Sequence, residues 1–202
     1  MDGSPGDEAP DLAEQRGLET VYQPAEDSQL LADAVVEAVE QGDRLLDVGT
    51  GSGYVAHRAE EAGARVVGSD LNPDACEQTA ERGVPVVRAD LTTAFRDESF
   101  DVVTFNPPYL PEPEDGGWGD WMETAITGGE DGRAVVDPFL DDVGRLLVPG
   151  GRVYLLVSTL TGLDEVRAYA ADRGLDTTQV ANESFSFEQL FVLELTRATS
   201  RE

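Results

Sequence analysis

Lysine is absent from this 202-residue sequence: all 14 basic residues are arginine, set against 41 acidic residues for a formal net charge of −27. A chain without lysine cannot form the Gly-Lys-Ser/Thr of a phosphate-binding P-loop. One so acidic shows no Lys/Arg patch of the kind that displaces phosphate counterions, and direct nucleic-acid binding is not expected. The same composition keeps a surface hydrated in concentrated salt, where a Debye length of ~3 Å at 1 M leaves little self-repulsion. An extremely halophilic source is therefore expected. Cysteine is limited to Cys76, which excludes an internal disulfide and a cysteine-built zinc site and suits a reducing cytosol. Cys76 reads as a small buried apolar residue, and the lone histidine, His57, as an exposed helix residue rather than a catalyst. No apolar run approaches twenty residues and Met1 opens no basic-apolar signal. Neither membrane insertion nor secretion is expected, and the location is read as cytoplasmic.

What is present organises as one α/β domain. Residues 1–16, rich in glycine, proline and acid with few large apolar side chains, are expected to be a disordered leader, and 17–198 the domain. Leu30, Leu31, Ala34, Val35, Ala38 and Val39 recur at helical spacing and predict an amphipathic helix from Glu26 to Glu40. Strand-like runs follow at Arg44 to Val48, Arg65 to Ser69, Val84 to Arg88, Phe100 to Phe105 and Arg152 to Val157. Between them, helices are predicted at Tyr54 to Glu61, from Asn72-Pro73 to about Arg82 with Asn72 as N-cap, and over Arg133 to Leu147. Such alternation predicts a doubly wound, seven-stranded, mostly parallel sheet with ligands at the carboxyl ends of the strands. After a helix from Asp164 to Arg173 the rhythm changes. Asp176 to Glu183 and Glu188 to Thr196 follow with no helix between them and predict an antiparallel C-terminal hairpin.

Gly49-Thr50-Gly51-Ser52-Gly53 follows the first strand and lets a ligand approach the backbone beside a helix N-terminus. The dinucleotide fingerprint fails, because it needs glycine at 49, 51 and 54, and position 54 is tyrosine while the third glycine falls at 53. Three acids line the same rim: Asp47 ends the first strand, Asp70 the second, and Asp90 follows the third. Asp70 can accept both hydroxyls of a ribose, Asp90 an adenine amino group, and Asp47 an α-ammonium, directly or through the region of Gly49. An adenosine with an amino-acid tail and no phosphate describes S-adenosylmethionine.

Asn106-Pro107-Pro108-Tyr109 closes the fourth strand. Neither proline has an N–H and each fixes its own φ, so the Asn106 side-chain oxygen and the Pro107 carbonyl form a rigid acceptor pair for a planar NH₂ group, whether amide or nucleobase. Trp118 and Trp121 sit in a long acid- and glycine-rich segment, Pro111 to Gly132, as a substrate lid or as a fastening of the loop to the sheet.

These motifs resemble the class I S-adenosylmethionine-dependent methyltransferases, and within them the HemK-type family that methylates the glutamine of the Gly-Gly-Gln motif in peptide release factors. Similarity runs from about Val21 to Leu195 and rests on Val21 to Ser28, Asp47 to Gly53, Asp70 to Pro73 and Asn106 to Tyr109. The Pro-Ala-Glu-Asp-Ser segment and the short N-terminus are similar to the archaeal and eukaryotic branch. The resemblance implies cofactor contacts from Ser28, Asp47, Gly49, Gly51, Asp70, Asp90, Leu91 and Asn106. It implies a catalytic clamp of Asn106, Pro107 and Tyr109, with Tyr109 packed on the amide face and no metal in the chain. It also implies a small zinc-binding activator subunit that adds a strand to the sheet edge at Val84 to Arg88. The rival expectations are an adenine N6-methyltransferase, which would need a means of flipping and holding its base, and a cofactor-binding scaffold that only stabilises its partner.

Overall fold

Short aliphatic and β-branched runs cut by glycine and proline produce strands, and the 3.6-residue apolar spacing between them produces helices. The computed structural model describes residues 21–109, 128–129, 132–186 and 188–198. The expected leader, Trp118 and Trp121 lie outside them. In chain order the elements are α1 (Glu26–Ala38), β1 (Arg44–Val48), α2 (Tyr54–Glu61), β2 (Arg65–Asp70), α3 (Pro73–Glu81), β3 (Val86–Arg88), β4 (Phe100–Phe105), α4 (Val136–Leu146), β5 (Leu147–Ser158), α5 (Leu163–Asp172), β6 (Leu175–Ser184) and β7 (Gln189–Arg197). The strands form one seven-stranded sheet in the order β3-β2-β1-β4-β5-β7-β6. β3, β2, β1, β4 and β5 run parallel to one another, while β7 is antiparallel to both β5 and β6.

Alternation along the central strands loads both faces. Val153, Leu155 and Val157 of β5 enter one hydrophobic cluster with α4 and α5, while Tyr154 and Leu156 enter the other with α1 and α2. On the first face Phe105, the last residue of β4, packs on Phe139 of α4 with ring centroids 4.6 Å apart, which fixes the strand end from which Asn106 departs.

The first helix ends at Ala38 and not Glu40, the helix expected over Arg133 to Leu147 spans Val136–Leu146, and two strand boundaries change. The docking strand expected at Val84 to Arg88 contracts to Val86–Arg88. Val84 is drawn into the core at 1% exposure, and Pro85, with no N–H to give, contributes only its carbonyl, which accepts from the Gly68 N–H at 2.8 Å. Pro149-Gly150-Gly151, expected to be a turn before the fifth strand, lies inside β5 as a bulge. Phe100 pairs with Leu147 and Val102 with Arg152, so Val148 to Gly151 loop out of the ladder between them.

The surface reflects the composition. Arg44, Arg58, Arg145, Arg152, Arg167, Arg173 and Arg197 each lie within 4.0 Å of a carboxylate. His57 is partly exposed beside Glu61. Cys76 is half-buried rather than buried, its thiol directed to the Asp70 carbonyl at 3.6 Å. Among the described residues no helix is long and apolar enough to cross a membrane.

Strand order reverses between β1 and β4, whose carboxyl ends lead into Gly49 and Asn106 respectively. A crevice opens at that switch point.

Candidate active site

The floor of the crevice is the glycine turn between β1 and α2. Its backbone is pinned from outside: Thr50 N–H donates to the Ser69 carbonyl at 2.9 Å, the Thr79 hydroxyl to the Gly51 carbonyl at 3.1 Å, and Arg82 Nε to the Ser52 carbonyl at 2.6 Å. Gly53 has φ of 77°, and a Cβ there would lie 2.9 Å from Thr79 Oγ1 and 3.1 Å from Thr79 Cα. Only glycine lets the turn press this closely on α3. The turn is thus held by the Thr50 N–H and by the Gly51 and Ser52 carbonyls before any ligand arrives.

Each strand-end acid has its own environment. Asp47 is 3% exposed and accepts from Thr104 Oγ1 at 2.6 Å and Thr50 Oγ1 at 2.7 Å. Burial raises its pKa to about 6, against the opposing pull of those hydroxyls. Asp70 accepts from Gly51 N–H and Asn72 N–H, both at 2.9 Å. Burial lifts its pKa as well, opposed by those backbone donors. Because each carboxylate oxygen has two lone pairs, Asp70 keeps acceptor capacity toward the crevice while bracing the glycine turn. Asp90 lies on the far rim, and Leu91 beside it adopts φ of 46°, a left-handed conformation uncommon for a branched side chain and found where local geometry is over-determined.

Opposite these acids stands Asn106. Its Nδ2 donates to Asp27 Oδ2 at 3.1 Å and points toward Ser28 Oγ at 3.5 Å, both on the first turn of α1. Its Oδ1 is buried and has no hydrogen-bond partner among the described residues, an exception that asks for a reason. Asp27 is itself 3% exposed. It also accepts from the Tyr22 hydroxyl at 3.2 Å. Burial first, and then the Asp27 charge, push the phenols of Tyr22 and Tyr109 far above the ordinary tyrosine range, so both remain neutral.

Ser28, Asp47, Gly49, Gly51, Asp70, Asp90, Leu91 and Asn106, the eight residues expected at the cofactor, all line this one crevice. Pro108 lines it too, whereas Pro107 and Tyr109 do not. Tyr109 is packed against the cluster that contains Leu31 and Leu190. A model described as a methyltransferase domain matches residues 46–107. A Methanocaldococcus jannaschii protein assigned as a protein N5-glutamine methyltransferase is 35% identical over 184 residues, covering 88% of this chain and 92% of its own.

This chain belongs to the HemK-type protein N5-glutamine methyltransferases.

The human methyltransferase HEMK2 is 33% identical over 193 residues, covering 88% of this chain and 90% of its own. The solved E. cuniculi Mtq2, in a complex with Trm112 described as responsible for methylation of the eRF1 translation termination factor, superposes with a TM-score of 0.75 at 33% identity, covering 89% of this chain and 100% of that one. As a HemK-type enzyme the chain is a methyltransferase built on the class I fold.

Two residues of this HemK-type site are not singled out by the sequence patterns above. Thr104 is a hydroxyl near the end of a mostly apolar strand; its register opposite Asp47 is what makes it a partner. Asp27 lies one turn before Leu31 and two before Val35, on the buried stripe of α1. An acid on an apolar stripe is the signal that could have found it.

Proposed function

We propose that the chain transfers a methyl group from S-adenosylmethionine to the side-chain nitrogen of the glutamine in the Gly-Gly-Gln motif of a peptide release factor, in the cytosol. The observation that carries this is the buried, partnerless Asn106 Oδ1 in the same crevice as three strand-end acids. The residues present fit the cofactor: a glycine turn that a backbone-hugging ligand can approach, acceptors for a ribose, an amine and an ammonium, and no cationic cradle for phosphate.

Asp70 would accept from the ribose hydroxyls, Asp90 with Leu91 would hold the adenine, and Asp47 with Gly49 and Gly51 would hold the amino-acid end beside Ser28. When bound, S-adenosylmethionine supplies an electrophilic sulfonium methyl. The difficulty lies with the acceptor, since the lone pair of an amide nitrogen is delocalised into its carbonyl. Asn106 Oδ1 and the Pro107 carbonyl accept its two N–H bonds, fix the nitrogen in line for attack, and grow stronger as acceptors while positive charge develops on nitrogen. The surplus proton leaves to water. Tyr109, a neutral phenol held against Asp27, limits the pocket from behind.

Cofactor affinity is expected to depend on pH through Asp47. Its ionised form holds the ammonium, so affinity should be full above the folded pKa of about 6 and fall by about tenfold per pH unit below it. Calorimetric titration from pH 8 to pH 5 checks this, and Asp47→Asn should flatten the profile.

A small zinc-binding activator, with the zinc held wholly by that subunit, completes the assembly. It adds a strand to β3, whose outer side no described strand covers and where Val87 is 39% exposed. Val87→Asp is expected to weaken the heterodimer by at least tenfold in size-exclusion and calorimetric assays while leaving the thermal midpoint of the isolated chain within a few degrees.

The deciding experiment incubates the protein, with and without the activator and in molar salt, with labelled S-adenosylmethionine and four acceptors: release factor, its Gln→Ala variant, tRNA and DNA. Label is expected in the unaltered release factor alone. Label in nucleic acid and none in release factor would replace the glutamine reading with the nucleobase one.

A further inference from the structure

Behind the crevice wall, bonded to Asn106, lies one buried carboxylate, Asp27, for which neither cofactor nor substrate supplies a role. We infer that Asp27 is a positioning residue that turns the Asn106 amide so that its oxygen faces the substrate, and that strengthens this oxygen as an acceptor. The inference rests on the glutamine-methylation reading of the same site.

An asparagine amide has two donors and one acceptor oxygen. Both donor directions are occupied on the α1 side, by Asp27 Oδ2 at 3.1 Å and Ser28 Oγ at 3.5 Å. Only Oδ1 is left over, and it is the atom without a partner. The opposite rotamer would set the amide oxygen about 3 Å from a carboxylate oxygen, two like partial charges in a poorly solvated place. Asp27 cannot turn away to relieve that clash. Its Oδ1 accepts from Ser28 N–H at 2.6 Å and Ser28 Oγ at 3.2 Å, and its Oδ2 also accepts from Tyr22. The amide is therefore oriented by a fixed anion and not by the substrate.

The same contact acts on strength. A hydrogen bond to an ionised acceptor is stronger than one to a neutral acceptor, and a donor pulled toward an anion shifts electron density along the amide to its oxygen. Asn106 Oδ1 is thus a better acceptor with Asp27 behind it. As the glutamine nitrogen becomes cationic in the transition state, that difference grows.

A purely structural role, capping the first turn of α1, predicts a different outcome on substitution. Asparagine at 27 keeps an oxygen for the Ser28 N–H but loses the charge and makes the two Asn106 rotamers nearly equal. Asp27→Asn is expected to lower kcat by at least 30-fold, with cofactor affinity changed less than threefold and the thermal midpoint moved by only a few degrees. Because Asp27 acts through Asn106, the double variant Asp27→Asn/Asn106→Ala should be no slower than Asn106→Ala alone. A kcat within threefold of wild type, or losses that multiply in the double variant, would overturn the inference. The ratio is read on whichever NH₂ acceptor the wild type methylates, so labelling of adenine would sink the glutamine reading and still judge Asp27. Independently of turnover, the Asn106 side-chain protons in ¹⁵N-labelled protein should exchange with solvent at least tenfold faster in Asp27→Asn. Equal exchange rates would overturn it as well.

Discussion

Asn106→Ala is expected to lower kcat for methyl transfer by roughly 10²–10³-fold, the range seen when one preorganised group at a developing charge is removed, while cofactor affinity changes less than tenfold. The asymmetry follows from the geometry. Asn106 lines the crevice and has one buried oxygen without a hydrogen-bond partner among the described residues, whereas the ribose, adenine and ammonium positions are assigned to acids on other strands. Truncation removes the only side-chain acceptor offered to the substrate NH₂ and leaves the Pro107 carbonyl to hold one N–H without its partner. It also strips Asp27 of a donor, a loss of about 1–3 kcal/mol in stability, so the thermal midpoint is measured alongside. Asn106→Asp gives a complementary test: it keeps the shape but sets a second carboxylate against Asp27. Turnover there should also collapse. Radiolabel transfer under saturating cofactor, paired with calorimetry, separates the two quantities, and near-normal turnover in Asn106→Ala would remove this residue from the mechanism.

Asp70→Ala should produce the reverse signature. Its carboxylate both faces the crevice and accepts from Gly51 N–H and Asn72 N–H, so alanine deletes the ribose acceptor and slackens the glycine turn in one step. Two charge-assisted hydrogen bonds of about 1.5 kcal/mol each correspond to a weakening of cofactor binding on the order of 100-fold. The effect belongs in KM for the methyl donor, with kcat at saturation changed by only a few fold, because Asp70 does not reach the methyl acceptor. Calorimetric titration of cofactor and of its demethylated product tests this directly. Affinity within threefold of wild type would mean that the ribose is held elsewhere.

Much of this architecture is legible from local pattern. The helix start at Asn72-Pro73 is visible because both residues have one strong preference, and Asn72 Oδ1 indeed accepts from the Asp74 N–H at 2.9 Å. Alternation of strand and helix sets the parallel core, and the two uninterrupted runs at the end set the antiparallel pair. The glycine turn, Asp47, Asp70, Asp90 and Asn106 follow because strand ends in such a sheet must share one rim, whereas Ser28 on α1 and Leu91 come only from the family resemblance. What stays hidden depends on register between distant segments. Nothing local tells that β5 continues across Pro149-Gly150-Gly151, since the bulge exists only opposite Phe100 and Val102. Tyr109 looks like a substrate contact by its place in the motif, and nothing local tells that it also packs against the cluster that contains Leu31 and Leu190. Asp27 and Thr104 acquire their roles only when α1 and β1 are laid against β4.

The bond between Asn106 and Asp27 joins residues 79 positions apart, and this has a kinetic meaning. Contacts that far apart in sequence close later than local ones, so the acceptor forms with the long-range pairing of the sheet and not with the helices. In the folded protein the same bond is a latch at the N-terminal turn of α1, and local opening of one turn costs less than global unfolding. Proteolysis or fraying at Val21 to Ser28 should therefore silence catalysis in molecules whose sheet is intact and whose cofactor crevice is largely preserved.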